Sequence, residues 1–250
     1  METPDWHTGR SFLKQTQLQE STPSAGTVTA TDTPKVCGTC EPSQVLIPLP
    51  QASEIPMDPM LLSDIMEIRR TVRDYSDEPL MKWELSLMLH YTQGVSETGG
   101  APHLRNAPSA GALHPFETYI VVNRVEGLEP GIYRYLPLDH ALVKETCHVG
   151  GGEAVAAACR RSELILKAAV TFLWIAVPDR ILWKFGPRGW RYLFIESGHV
   201  CQNLYLIATA LGCGTCAIGS YRDDEMNCAL GLDGEEQFCI YLATVGKRKD

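Results

Sequence analysis

The stretch from residue 190 to 211 constrains this chain most. Read as a helix, WRYLFIESGHVCQNLYLIATAL puts apolar side chains on nearly every side. A one-sided amphipathic helix can lie on a surface, but this one must be buried in the body or at a subunit interface. Ser197, Gly198, Ala208 and Ala210 are small, and Gly212 supplies a stop. Glu196, His199, Gln202 and Asn203 form a polar stripe, expected to be hydrogen-bonded internally or across a dimer. The run 168–177, AAVTFLWIAV, reads as a central strand.

Around these two segments the patterns alternate. Asp58-Pro59 reads as an N-cap with proline at the first helical position, followed by Leu61, Leu62, Ile65, Met66 and Ile68 at helical spacing. A second helix is expected over 79–92, then a Gly/Ala/Pro/Ser-rich loop over 94–112. Strand signals fall at 118–122, at 132–135 with 141–144 as a hairpin, at 215–218 and at 238–245. A short Ala-rich helix follows Gly150-Gly151-Gly152 and ends near Arg161, and another lies near 223–230. This order fits an α+β fold: a mixed, mainly antiparallel sheet flanked by helices. Residues 1–56 are rich in Thr, Ser, Pro and Gln and lack a sustained apolar period. They are expected to form an irregular N-terminal arm, pinned near 45–49, ahead of a domain over 57–250.

Composition excludes some functions. A formal net charge of -8 argues against nucleic acid as the main partner, because phosphate binding needs surplus Lys and Arg. No apolar run reaches the length of a membrane span, and no signal-peptide pattern is visible. Nine cysteines, an odd number scattered through apparent core segments, fit a reduced, cytoplasmic setting.

Three constellations carry chemistry. Arg69-Arg70-Thr71-Val72-Arg73 packs three guanidinium groups and a hydroxyl into five residues. If the first helix continues, Arg69 and Arg73 lie one turn apart and converge on one anion, a role that suits the planar guanidinium. The alternative is a solvated basic helix end facing the helix dipole. Residues 108–115, PSAGALHP, allow close backbone approach to a ligand, with Ser109 and His114 as hydrogen-bonding groups; an ordinary tight loop is the alternative. Residues 212–217, GCGTCA, formally match G-x-G-x-x-[GA]. They leave a helix and enter a strand, the reverse of the dinucleotide motif, so a Rossmann unit is rejected.

Taken together, the segments 69–75, 109–115, 131–135, 182–184, 191–203 and 212–219 resemble the SagB/ThcOx-type dehydrogenase branch of the nitroreductase family. The resemblance covers roughly residues 61–248. It implies a nitroreductase-like flavoprotein: an FMN-dependent oxidoreductase, built as a homodimer with two FMN sites, each made by both subunits, that passes hydride through flavin N5. By the same resemblance Arg69, Arg70, Thr71 and Arg73 match the segment for the FMN phosphate, ribityl chain and pyrimidine edge. Ser109, Gly111 and His114 match the segment given by the second subunit, and Ala217, Ile218 and Gly219 the strip facing the isoalloxazine. Lys247 or Arg248 matches the C-terminal basic contact, with Arg248 the candidate taken forward.

Lys184 is the catalytic candidate. The azoline-oxidising members carry a Lys-Tyr pair here with an acid/base role, whereas this sequence has Lys184-Phe185. A lysine beside a desolvated flavin is suited to take a proton; a surface lysine beside an apolar Phe is the alternative. Two enzyme readings stay open: reduction of small electrophilic molecules with NAD(P)H as a transient co-substrate, and azoline-to-azole oxidation in modified peptides. A non-catalytic flavin- or partner-binding protein is a third.

Two further motifs are expected to be incidental. The Cys37/Cys40 and Cys213/Cys216 pairs lie roughly 170 residues apart, far outside finger spacing, and no metal site is expected. Glu145-x-x-His148 and Glu196-x-x-His199 mimic halves of a carboxylate di-iron site, but the first runs from a strand into triple glycine.

Overall fold

Every side chain from Val170 to Ala176 is buried, and the strand they form is paired along both edges. This is the central strand expected from the apolar run. A computed structural model describes residues 7–18, 38–41, 44–97, 104–145 and 150–249. In chain order the elements are α1 (His7–Gln15), β1 (Leu46–Pro48), α2 (Leu62–Ile68), α3 (Lys82–Gln93), the short strands β2 (Val95–Glu97) and β3 (Leu104–Arg105), β4 (Phe116–Val122), β5 (Gly131–Leu136), β6 (Ala141–Glu145), α4 (Gly151–Ala158), α5 (Ser162–Lys167), β7 (Val170–Ala176), α6 (Asp179–Phe185), α7 (Gly189–Ala210), β8 (Cys213–Ile218), α8 (Asp223–Ala229) and β9 (Phe238–Lys247).

Seven strands form one sheet in the order β1-β6-β5-β4-β7-β9-β8. Every ladder between its named strands is antiparallel. A parallel component comes from outside them, where Thr71 bridges Thr215 on β8. The α+β class with a mainly antiparallel sheet is therefore the observed one. One face of the sheet packs against α3 and α7, the other against α4, α5 and α8. With both faces covered, β7 has no polar side to present, which is why its sequence does not alternate.

Helix α7 lies against the sheet and α3, burying Leu193, Val200, Cys201, Leu204 and Ala208. Its solvent side still carries Phe194 and Ile195, each more than half exposed. It stops at Gly212, whose φ of 71° is left-handed and whose N–H donates to Thr209 O at 3.0 Å. The chain then enters β8, so the G-x-G-x-x-[GA] match does sit in helix-to-strand context.

Some local expectations need correction. Asp58-Pro59 does not start the first helix: α2 begins at Leu62 with Leu61 in the N-cap position. The second helix begins at Lys82 rather than at 79, where the Glu84 carboxylate accepts the Met81 N–H at 2.9 Å. Helices α5 and α6 were not anticipated; each is seven residues or shorter, too short for periodicity to register. Within 1–56, α1 docks on α7 and β1 adds an edge strand to β6. Further along this stretch, Gly38 N–H donates to Glu117 at 2.7 Å and Arg134 donates to Thr39 O at 3.1 Å. Cys37 and His148 lie outside the described residues.

Candidate functional site

The arginine segment is extended, not helical. Helix α2 ends at Ile68, and Arg69 turns to ψ 126°. The convergence of Arg69 and Arg73 across one helical turn is thereby overturned. Instead residues 69–73 lie along the edge of β8: Thr71 bridges Thr215, and Val72 N–H donates to Thr215 O at 2.9 Å. Gly214 makes this approach possible, because a Cβ there would fall 2.6 Å from the Val72 side chain.

Tyr205 on α7 organises this edge. Its hydroxyl accepts the Ala217 N–H at 2.9 Å and lies 3.2 Å from Thr71 Oγ1. The Arg69 guanidinium sits over its ring, 5.3 Å from the centroid. Arg73 lies near the Cys216 thiol, where its charge and that of Arg161 oppose the upward push of burial. Arg70 behaves differently: Nη1 donates to Glu67 O at 2.6 Å and Arg69 O at 2.7 Å, capping the end of α2. For Arg70 the helix-end alternative is the one observed.

The C-terminal cations also divide. Lys247 Nζ is bound to the buried Glu84 at 2.5 Å. Arg248 Nε donates to Cys213 O at 3.2 Å, while its Nη2 is buried without a hydrogen-bond partner. Arg248 also bridges Tyr75, whose ring covers Gly246 and whose hydroxyl reaches Val72 O at 2.9 Å. Beyond Ala217 and Ile218, Gly219 is exposed, and only Tyr241, at 3.9 Å, would meet a Cβ built there. Arg69, Thr71, Arg248 and the 217–219 strip thus border one strand, with open space in front of its end.

A second cluster forms around residues 109–114. The Glu196 carboxylate on α7 accepts the Ala110 N–H at 2.7 Å, and the Ser109 side chain also bonds it. Ser109 Oγ accepts the His114 N–H at 2.9 Å. Lys184 Nζ lies 2.7 Å from the point a Cβ on Gly111 would occupy, and the ammonium sits 5.6 Å from the Phe185 ring centroid. Phe185 meets Tyr192 edge-on at 5.0 Å. Lys184 itself is exposed, and Gly111 has a φ of 65°. Burial pushes the Glu196 carboxyl above its ordinary range, partly offset by its bonds to Ala110 and Ser109.

Glu196 and Tyr205 are nine residues apart on α7, which is two and a half turns, or about 14 Å along the axis, on opposite sides of the helix. The two clusters are therefore held by opposite flanks of one helix. Among the described cavities, the largest opening, about 740 Å³, lies between α1 and α7 beside Phe12, Trp190 and Phe194. An apolar one of about 370 Å³ lies beside Leu62, Ile65 and Leu206. Neither includes the arginine segment or Lys184.

Two residues of α7, Tyr205 and Glu196, hold these clusters, and only Tyr205 is absent from the candidates drawn from the sequence. For Tyr205 the signal was available: a tyrosine in a buried helix needs a partner for its hydroxyl. Glu196 was read as part of a polar stripe, and its bonds are indeed internal. Cys213 and Cys216, three apart on a strand, pack into opposite cores. Burial pushes Cys213 to about 12 and also raises Cys216.

The model for the Nitroreductase family matches residues 66–247. This chain belongs to the nitroreductase family. A relative from Methanocaldococcus jannaschii, named "Putative nitroreductase MJ1384", is 35% identical over 202 residues, 81% of this chain and 96% of that protein. The Microcin B17-processing protein McbC of Escherichia coli is 28% identical over 141 residues. That match spans 52% of this chain and about half, 49%, of McbC. A structure from Desulfovibrio desulfuricans, described as a "putative nitroreductase in complex with fmn", superposes with a TM-score of 0.53 at 17% identity, over 77% of this chain and 89% of that one. The nitroreductase fold and the resemblance to the SagB/ThcOx-type branch, drawn from six motifs, are borne out. Among the described residues no helix is long and apolar enough to cross a membrane.

Proposed function

We propose that this nitroreductase-family protein is an FMN-dependent oxidoreductase that works as a homodimer, with each flavin held between two protomers. The observation that carries this reading is the separation of the two clusters. A helix about 10 Å thick stands between them, so one protomer cannot close both halves around a single ligand. The solvent side of α7 and the neighbouring α2 display Phe194, Ile195, Leu61, Leu62 and Met66. An apolar surface of this extent is suited to a second copy.

The residues fit a flavin phosphate. Arg69, Thr71 and Arg73 line the β8 edge, and the buried, unpartnered Nη2 of Arg248 is a donor in want of an anion. Near Gly219 only Tyr241, at 3.9 Å, would meet an added Cβ, which leaves room for a flat ring beside the end of β8. Ser109, Gly111 and His114 would come from the other protomer, bringing Lys184 with them. When bound, FMN supplies hydride transfer at N5. Arg69 and Arg248 orient the cofactor and offset its charge, and Lys184 Nζ stands over Gly111 where it can hold or give a proton.

For the substrate we favour small electrophilic molecules reduced at the expense of NAD(P)H. Because the 212–217 motif runs from helix to strand rather than forming a Rossmann unit, NAD(P)H would bind transiently over the flavin. The likeness to McbC, a microcin-processing protein, together with the exposed position of Lys184, supports oxidation of a modified peptide as a second reading. Anaerobic titration of the FMN-loaded protein with NADH and NADPH tests the choice. Bleaching near 450 nm within seconds supports the reductase reading. A flavin that stays oxidised rejects NAD(P)H as donor and leaves the peptide reading in place.

A further inference from the structure

The loop from Ser109 to His114 holds three left-handed residues: Gly111 (φ 65°), Ala112 (φ 55°) and His114 (φ 47°). Residues with a Cβ adopt such angles only where their surroundings enforce them. Several of the anchoring bonds can be named. Glu196 accepts the Ala110 N–H at 2.7 Å and bonds the Ser109 side chain. Ser109 in turn closes the loop, through Oγ to His114 N at 2.9 Å and through its carbonyl to Ala112 N at 3.0 Å. A buried carboxylate on α7 thus sits at the root of the loop that carries Gly111 beneath Lys184.

We propose that Glu196 is a positioning residue: by gripping Ala110 and Ser109 it fixes the left-handed loop, and through the loop it sets how tightly the partner protomer's half of the site is completed. The inference rests on the interfacial FMN reading. Glu196 does not reach the β8 cluster, since it faces away from Tyr205 on the same helix, so its effect travels through the loop. His199 on α7 acts electrostatically on Glu196, and Lys184 of α6 lies against Gly111 of the loop it holds.

The test uses full-length wild type, Glu196→Ala, Glu196→Gln and Ser109→Ala. Amide exchange is measured at Ala110 and His114 without FMN, and FMN affinity by quenching of flavin fluorescence. Glu196→Ala should exchange Ala110 faster and bind FMN about tenfold or more weakly, as expected for losing a charge-assisted bond. Glu196→Gln, which keeps an acceptor oxygen, should recover most of both. Should Glu196→Ala fail to fold, Ser109→Ala is read by exchange alone, since Ser109 itself belongs to the proposed site: it should speed exchange at His114 while Glu196 keeps Ala110 protected. Wild-type exchange and affinity in Glu196→Ala, or wild-type exchange in Ser109→Ala where only that variant folds, would overturn the proposal. A wild type that takes up no FMN defeats the functional reading instead, and the grip of Glu196 on the loop is then judged by exchange alone.

Discussion

Tyr205 and Ala217 are tied by one hydrogen bond: the Ala217 N–H donates to the Tyr205 hydroxyl at 2.9 Å, fixing α7 against the end of β8. The same hydroxyl meets Thr71, so one side chain registers the helix, the edge strand and the arginine segment. Tyr205→Phe keeps the ring under Arg69 and removes only the hydroxyl. Leaving the Ala217 N–H without its acceptor should cost about 1–3 kcal/mol, read as a lower urea midpoint at unchanged slope. FMN affinity should fall with it. A variant as stable as wild type would show that the bond does not hold the edge.

The arginines separate by what already binds them. Arg69→Ala and Arg248→Ala should each weaken FMN binding by roughly tenfold or more, the scale of one charge-assisted contact of about 1.5–3 kcal/mol. Arg70→Ala should leave affinity within about threefold, because its guanidinium is spent on Glu67 O and Arg69 O. Isothermal titration of the three variants checks the order, and a larger loss from Arg70→Ala would reverse it.

Helix α1 is held by its carboxyl end. Arg191 donates to Thr16 Oγ1 at 2.6 Å and to Leu13 O, and Arg188 donates to Thr16 O at 3.2 Å. Cations near a helix C-terminus complement its unpaired carbonyls. Arg191→Ala should loosen α1 and speed trypsin cleavage after Lys14, with little change in the stability of the sheet domain. Equal cleavage rates in variant and wild type would mean that Arg188 and the Phe12–Phe194 contact hold the helix without Arg191.

His140 gives the fold an acid-sensitive joint. Its Nδ1 meets the Tyr135 hydroxyl at 2.8 Å, and its Nε2 meets Ser86 Oγ at 2.8 Å and Pro50 O at 3.0 Å. Burial holds its pKa below the ordinary 6.5. A histidine with a depressed folded value contributes stability that is full above 6.5 and is lost as pH falls through the folded value. Thermal midpoints should therefore drop below about pH 6.5, with His90, which is shifted in the same direction, adding to the loss. His140→Asn, a residue that tolerates the φ of 45°, should flatten this limb. An unchanged slope would assign the loss to other groups.

The parts of the fold legible in the sequence were those with one dominant signal. The apolar run became β7, the helix apolar on every side became α7, and 132–135 with 141–144 paired as a hairpin. The short helices α5 and α6 were not legible, because six or seven residues hold fewer than two turns of pattern. In the arginine segment the residues were recognised but not their geometry. Arg69 leaves the helix because its strand-like ψ lets Thr71 pair with Thr215, a long-range contact that local spacing does not reveal. The partners of Tyr205 and Glu196 are illegible for a similar reason: Thr71 and Ala110 lie far away in sequence.

The interfacial flavin site is tested most directly by measuring solution mass and flavin content together, with light scattering and 450 nm absorbance on protein incubated with FMN and freed of excess. The expected result is a species with the mass of two chains carrying one FMN per chain, and loss of bound flavin when dilution splits it into single chains. A single chain that retains FMN, or a two-chain species that takes up none, would contradict a site built by two protomers.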